Sequence, residues 1–227
     1  MSGSNPVFGS LLDNVLPRVP PFFKMIHEQT EMLVRAFSCL VVYMESGERI
    51  RAGEVAAVET QATEFKDKML EILNNAFSTP MDREDVYRAI FSIHEPIWSA
   101  RVAAEEMDAL GIKSDRFAVE MVTILREAAI SLESGYGKME THPAGADGDA
   151  VAASRCRLTV DKAYRRALAS LYNVDETKSS PGADQPATMK EVTDVLKRRE
   201  MYRHLHLAAR QMAEAGVVLR GIVVQMS

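Results

Sequence analysis

The stretch Phe77-Ser78-Thr79-Pro80-Met81-Asp82-Arg83-Glu84-Asp85-Val86-Tyr87 decides how this chain folds. It separates two long runs of apolar residues at helical spacing. Thr79-Pro80 ends the helix before it, because proline has no N–H to donate and restricts the backbone of the residue ahead of it. Asp82 then offers a side-chain acceptor to the free N–H groups of a new helix. Glu84 and Asp85, in its first turn, suit the positive end of the helix dipole. One helix stops and another starts within a few residues, which predicts a helical hairpin.

Outward from this joint the same pattern recurs. The helix before it carries Val55, Val58, Ala62, Phe65, Met69, Ile72 and Ala76. The helix after it carries Val86, Ile90, Ile93, Ile97, Ala100, Ala104 and Met107, and stops at Gly111. Upstream, Pro20-Pro21 opens a helix with Ile26, Thr30, Leu33, Phe37, Leu40 and Met44 on one face, ending near Ser46-Gly47. The second half repeats the plan. A fourth helix is expected from about Asp115 to Ser134, with Ala118, Val122, Leu125, Ala129 and Leu132 inward. A fifth carries Ala153, Cys156, Val160, Ala163, Ala167 and Leu171, and a sixth Tyr202, Leu205, Ala209, Met212, Gly216, Leu219 and Val223. The stretches Gly135–Gly148 and Asp175–Pro186 read as loops from their Gly, Pro, Ser and Asp content.

These near-heptad stripes predict helices packed at shallow angles. The expected fold is all-α, with six long helices in two three-helix bundles in tandem. Residues 1–19 form an N-terminal lead with an apolar run from Phe8 to Leu16. Residues 20–111 form the first bundle and 112–227 the second, in one continuous domain.

Composition narrows the function classes. The chain has 227 residues, of which 47% are hydrophobic, 26% charged and only 7% aromatic, as expected of a helix-rich globular protein. A net charge of −5 argues against a nucleic-acid partner. No apolar run approaches the ~20 residues needed to span a bilayer. Met1-Ser2-Gly3-Ser4-Asn5 has no basic region ahead of an apolar core, so no signal peptide is expected and the chain is placed in the cytoplasm. Cys39 and Cys156 fall in apolar stripes and are expected as buried, reduced thiols.

The segment Phe77–Val86, of the form F-x-T-P-x-D-R-E-D-hydrophobic, resembles a signature of the PhoU-like phosphate-transport regulators that accompany Pit-type transporters. Two more stretches carry the resemblance: Tyr164-Arg165-Arg166-Ala167-Leu168-Ala169-Ser170-Leu171 is similar to the family's fifth helix, and Leu219-Arg220-Gly221-Ile222-Val223-Val224 to its last. The opening Phe8-Gly9-Ser10-Leu11, followed by Pro20-Pro21-Phe22-Phe23, also fits, so the resemblance runs from Phe8 to Val224. It implies tandem three-helix bundles and a cytoplasmic, non-enzymatic regulator of inorganic phosphate transport. Such a protein would act by contact with a Pit-type membrane transporter, gating or stabilising its cytoplasmic face. It would sit peripheral to the inner face of the membrane, with a homo-oligomer as an open alternative to a monomer.

Many such proteins hold metal clusters with E-x-x-x-D or D-x-x-x-D pairs, because residues four apart share a helix face and two such helices converge their carboxylates. Here the corresponding pairs are broken. Glu59 is followed by Thr63; His94 and Glu95 are followed by Trp98; Arg157 precedes Asp161; His206 and Arg210 stand where the last pair would be. Glu59, His94, Glu95 and Asp161 remain as weak metal candidates, and no bound cofactor is expected. Asp161 is expected to pair with Arg157, and Pro96 to kink the third helix beside Trp98.

Glu200 and His204 share a helix face and make half a metal site, without the second Glu-x-x-His helix of a ferritin-like centre. His204 and His206 lie two apart and are read as surface and boundary residues. Lys197-Arg198-Arg199 and Arg203 form a basic face, either solvated or suited to an acidic partner or anionic membrane surface. There is no P-loop, dinucleotide glycine pattern or Cys-x-x-Cys pair. The rival readings are a metal-binding bundle with one weak site built from Glu59, His94, Glu95 and Asp161, and a helical scaffold.

Overall fold

A computed structural model describes residues 19–172 and 188–227. The expected N-terminal lead and the expected loop Asp175–Pro186 fall outside these residues, apart from Val19. Among the described residues the chain forms six α-helices and no strand: α1 Phe22–Ser46, α2 Arg49–Asn75, α3 Arg83–Leu110, α4 Arg116–Lys138, α5 Asp147–Tyr172 and α6 Met189–Met226. The architecture is the all-α bundle expected from the stripes.

The decisive stretch is built as a clasp. Asp82 accepts a hydrogen bond from the Glu84 N–H at 2.8 Å and so caps α3. Arg83 reaches back and donates to the carbonyls of Leu73, at 2.5 Å, and Ala76, at 2.6 Å. It thereby satisfies acceptors that the end of α2 leaves open. Thr79 donates to the Met81 carbonyl at 2.7 Å. The conspicuous residues of this segment thus serve the turn itself.

Similar chemistry ends the other helices. Gly47 and Gly111 adopt left-handed φ of 68° and 62° and close α1 and α3. Asp115 caps α4, accepting from the N–H groups of Phe117 and Ala118. Thr188 and Glu191 form a capping box on α6. α3 runs through Pro96 as one helix from Arg83 to Leu110.

The predicted stripes face inward. Every stripe residue named for α1, α3, α4 and α6 is buried, while Phe65 and Ile72 on α2, Ala76 just past its end and Leu171 on α5 are half-buried. Helices α1, α2 and α3 pack against one another, as do α4, α5 and α6, and two seams join the groups, α1 on α4 and α3 on α6.

The stretch Gly135–Gly148 departs from its expected loop. α4 continues through Gly135, Tyr136 and Gly137 to Lys138, a short 3₁₀ turn spans Pro143–Ala146, and α5 begins at Asp147. Gly135 is a packing glycine: a Cβ there would stand 2.6 Å from Leu219 Cδ2 on α6. Gly216 is its counterpart on α6, where a Cβ would stand 2.8 Å from the Ala150 carbonyl of α5. Both thiols are free. Cys156 is buried, which pushes its pKa up to about 12, while Cys39 is only half-buried, a departure from expectation.

Candidate functional site

The four weak metal candidates are not gathered into one place. Glu59, on α2, and His94, on α3, come together inside the first bundle, with His94 Nε2 3.8 Å from Glu59 Oε1. Glu95 is exposed and turns to α6, where Gln211 Nε2 donates to it at 3.3 Å. Gln211 is itself held by Ser99, whose hydroxyl donates to Gln211 Oε1 at 2.6 Å. Asp161 lies in the second bundle, on α5.

Glu59 is only 2% exposed, and its charge is answered by protein groups. Thr63 Oγ1 donates to Oε1 at 2.6 Å, and Arg101 Nη1 donates to Oε2 at 2.5 Å. Thr63 Oγ1 also lies 2.9 Å from His94 Nε2. A hydroxyl has one proton, and here it goes to the carboxylate. The histidine must therefore carry its hydrogen on Nε2 and donate to the threonine oxygen. The chain of bonds runs from His94 to Thr63 to Glu59, with Arg101 closing the other side.

Burial alone would raise the Glu59 pKa. The hydrogen bonds from Thr63 and Arg101, with the charges of Arg101 and His94, outweigh it and hold the carboxyl below its ordinary value. His94 is lowered by burial and by the charge of Lys66, against the pull of Glu59, Glu95 and Asp67. A hydrogen on Nε2 is what this network needs of the ring. Trp98 is 47% exposed, so the indole does not fill the space beside Glu59; the Arg101 guanidinium takes that place, within 5.9 Å of the indole centroid.

In the second bundle Asp161 pairs with Arg165, at 2.6 Å, and not with Arg157 as expected. The reason is orientation, since an acid four residues N-terminal to a base is the better arrangement on a helix. His206, on α6, places Nε2 3.4 Å from Asp161 Oδ1 and stacks on Tyr164 with ring centroids 4.6 Å apart. Arg157 and Arg210 are exposed beside this group.

Two clusters of metal-ligating side chains lie on the seams instead. Glu106 on α3 meets Glu200 and His204 on α6, and His27 and Glu31 on α1 meet Glu133 on α4. His204 is no surface residue: its side chain is 11% exposed, in ion-pair contact with Glu106. α6 is covered by α3 on one side and α5 on another; His204 is enclosed on the α3 side, while His206 keeps 28% of its side chain in solvent, as a boundary residue. The pair Glu200/His204 was visible in the sequence; Glu106 was not, because only the packing of α3 on α6 brings it there. Arg101 was within reach of a sequence reading, seven residues after His94 and so on the same face.

Within the basic run, Lys197 donates to the Leu110 carbonyl at 2.8 Å and supports the C-terminal end of α3. Arg203 pairs with Glu200. Arg198 and Arg199 are exposed.

No family model matches the chain, and no curated protein matches it. Among solved structures, the chain is similar to a PhoU-like protein from Shewanella oneidensis MR-1. The two share 13% sequence identity and a TM-score of 0.57, over 93% of this chain and 99% of that one. The fold is PhoU-like. At that identity the likeness concerns the backbone, and what the chain does must be argued from its own residues.

Proposed function

We propose that this protein is a cytoplasmic, non-enzymatic regulator of inorganic phosphate transport that acts by contact with a Pit-type membrane transporter. The shared PhoU-like fold supports the phosphate-regulation class. The contact mode rests on one surface. At the start of α6, Met189, Val192 and Leu196 are 81%, 43% and 55% exposed at i, i+3 and i+7, an apolar stripe turned to solvent. Exposed Lys190, Arg198 and Arg199 flank it. An apolar stripe edged by cations fits the loops of a membrane protein at an anionic inner leaflet. No helix among the described residues is long and apolar enough to cross a membrane.

The test is co-purification of the tagged full chain with a Pit-type transporter from detergent-solubilised membranes, alongside phosphate uptake in cells. The wild type should retain the transporter, and Leu196→Asp combined with Arg198→Glu and Arg199→Glu should lose it and change uptake. Retention by the triple variant would overturn the docking surface. Failure of the wild type to bind any phosphate permease would overturn the reading as a whole.

A further inference from the structure

We propose that Glu106, Glu200 and His204 bind one divalent transition-metal ion of the zinc class, which clips the first bundle to the second. Glu200 and His204 stand four apart on α6, and Glu106 comes from α3 across the seam. Each offers one ligand atom, and these atoms all lie within 4.8 Å of one another. All three residues are half-buried.

The histidine is the telling member. Its Nε2 is sealed from solvent and makes no hydrogen bond of sound geometry, although it faces carboxylates on two helices. A buried ring nitrogen normally has a hydrogen-bond partner. Here it lies against the Glu106 carboxylate with Glu200 3.8 Å away, so an ion shared by the three would part the nitrogen from the oxygen it now meets. A neutral imidazole and two carboxylates carry −2, of which the Arg203 guanidinium on Glu200 already offsets one charge. One nitrogen and two oxygens from three side chains, with a position left for water, differs from the zinc set of two histidines and one glutamate by one carboxylate in place of a histidine. Magnesium and calcium prefer oxygen ligands throughout, so a histidine nitrogen in the set favours a transition metal.

The remaining polar contact to this cluster comes from Arg203, whose Nε donates to Glu200 Oε1 at 2.8 Å. Arg203 Nη2 donates to the same oxygen, which is also the one 3.8 Å from His204, so an ion must share Oε1 with the guanidinium or turn the carboxylate to present Oε2. The guanidinium weakens the site by its charge and orients the carboxylate. Glu59 and Asp161 take no part, because they sit within the separate bundles. The opposite seam provides an internal control. His27, Glu31 and Glu133 have the same residue types, but His27 is 34% exposed and Glu31 54%. The histidine there is about three times as exposed as His204, whose side chain is 11% exposed.

The inference is independent of transporter docking and is tested on the full-length protein alone. After chelator dialysis, zinc is added with calorimetry and thermal melts as readouts, and cobalt is added with visible absorption. The wild type should bind one equivalent of zinc, its melting midpoint should rise, and cobalt should give the intense bands of a low-coordinate site. His204→Gln and Glu106→Gln should each weaken zinc binding at least ~10-fold and abolish the midpoint shift, while Glu133→Gln should behave as wild type. Magnesium at the same concentration should shift nothing. The proposal is overturned by a wild type that takes up no zinc, by binding that survives both His204→Gln and Glu106→Gln, or by an equal response to magnesium. The cobalt spectrum of the wild type reports directly on the ligands, so the outcome does not hang on the folding of a variant.

Discussion

Each bundle carries an acid on its middle helix, a histidine on its last and an arginine beside them, yet the two groups differ in kind. Glu59 is enclosed, and both its oxygens accept hydrogen bonds, from Thr63 and Arg101. Asp161 keeps 28% of its side chain in solvent and holds Arg165, with His206 at 3.4 Å. Depth decides what such a set does. A buried carboxylate without its partners would be several kcal/mol out of place, so the first group locks α2 to α3. In water the same attraction is screened, and the second group is a polar patch beside α6.

The largest expected effect breaks the first group. Arg101→Ala leaves Glu59 charged, buried and held only by Thr63. The cost should be about 2–3 kcal/mol in denaturant unfolding, at or below the low end for a broken buried pair because Arg101 is itself 31% exposed. Glu59→Gln in the same chain should restore part of the loss by removing the stranded charge. A loss below about 1 kcal/mol would mean that water reaches Glu59 and that the two groups are alike after all.

The helix caps extend the comparison. Asp115 caps α4 and also accepts the hydroxyl of Tyr202, a ring only 1% exposed on α6. Asp82 caps α3 from an exposed position. Asp115→Ala should therefore cost about 2 kcal/mol, a lost cap plus an orphaned hydroxyl, and Asp82→Ala about 1 kcal/mol. Equal losses would show that the Tyr202 bond adds nothing.

Much of this was legible in the sequence because it depends on local chemistry. Asp82 fixed where α3 begins and the stripes identified the core, while α2 ends at Asn75, ahead of the expected break at Thr79-Pro80. The failures share a cause. Gly135 and Gly137 were read as breakers, but they sit inside α4 where neighbouring side chains press close, Leu219 in one case and the His27 ring in the other. Thr63 looked like a lost ligand and proved to be the hydroxyl that joins Glu59 to His94. Glu106 offered no signal, since its role depends on which helix crosses α3. Tertiary contact decided each of these, and no spacing along one helix encodes it.

Titration should separate the first group from an ordinary surface network. His94 is held below its ordinary value of 6.5, so as pH falls below 6.5 the unfolded chain takes a proton that the folded one refuses. Stability is then lost down to the folded pKa. Glu59 is also depressed, so its contribution holds above the ordinary 4.5 and is lost only as pH falls through its lower folded value. Urea midpoints should thus drop as pH falls from about 7.5 through 6.5, and His94→Gln should flatten that fall while leaving the acid limb. A drop of undiminished size in the variant would move the cause away from His94.

The smallest effect belongs to the exposed group. Arg165 is 76% exposed and joins Asp161 by a single hydrogen bond along one helix face. Arg165→Ala should cost no more than about 0.5 kcal/mol, and the loss should vanish in high salt. The value lies in the ratio to Arg101→Ala. If the bundles were equivalent halves, the two truncations would cost the same, whereas burial predicts a several-fold gap that survives salt. A loss from Arg165→Ala that matched Arg101→Ala and persisted in salt would mean that Asp161 is shielded in solution. It would then be a second structural lock, and the difference in depth would not be what sets the two groups apart.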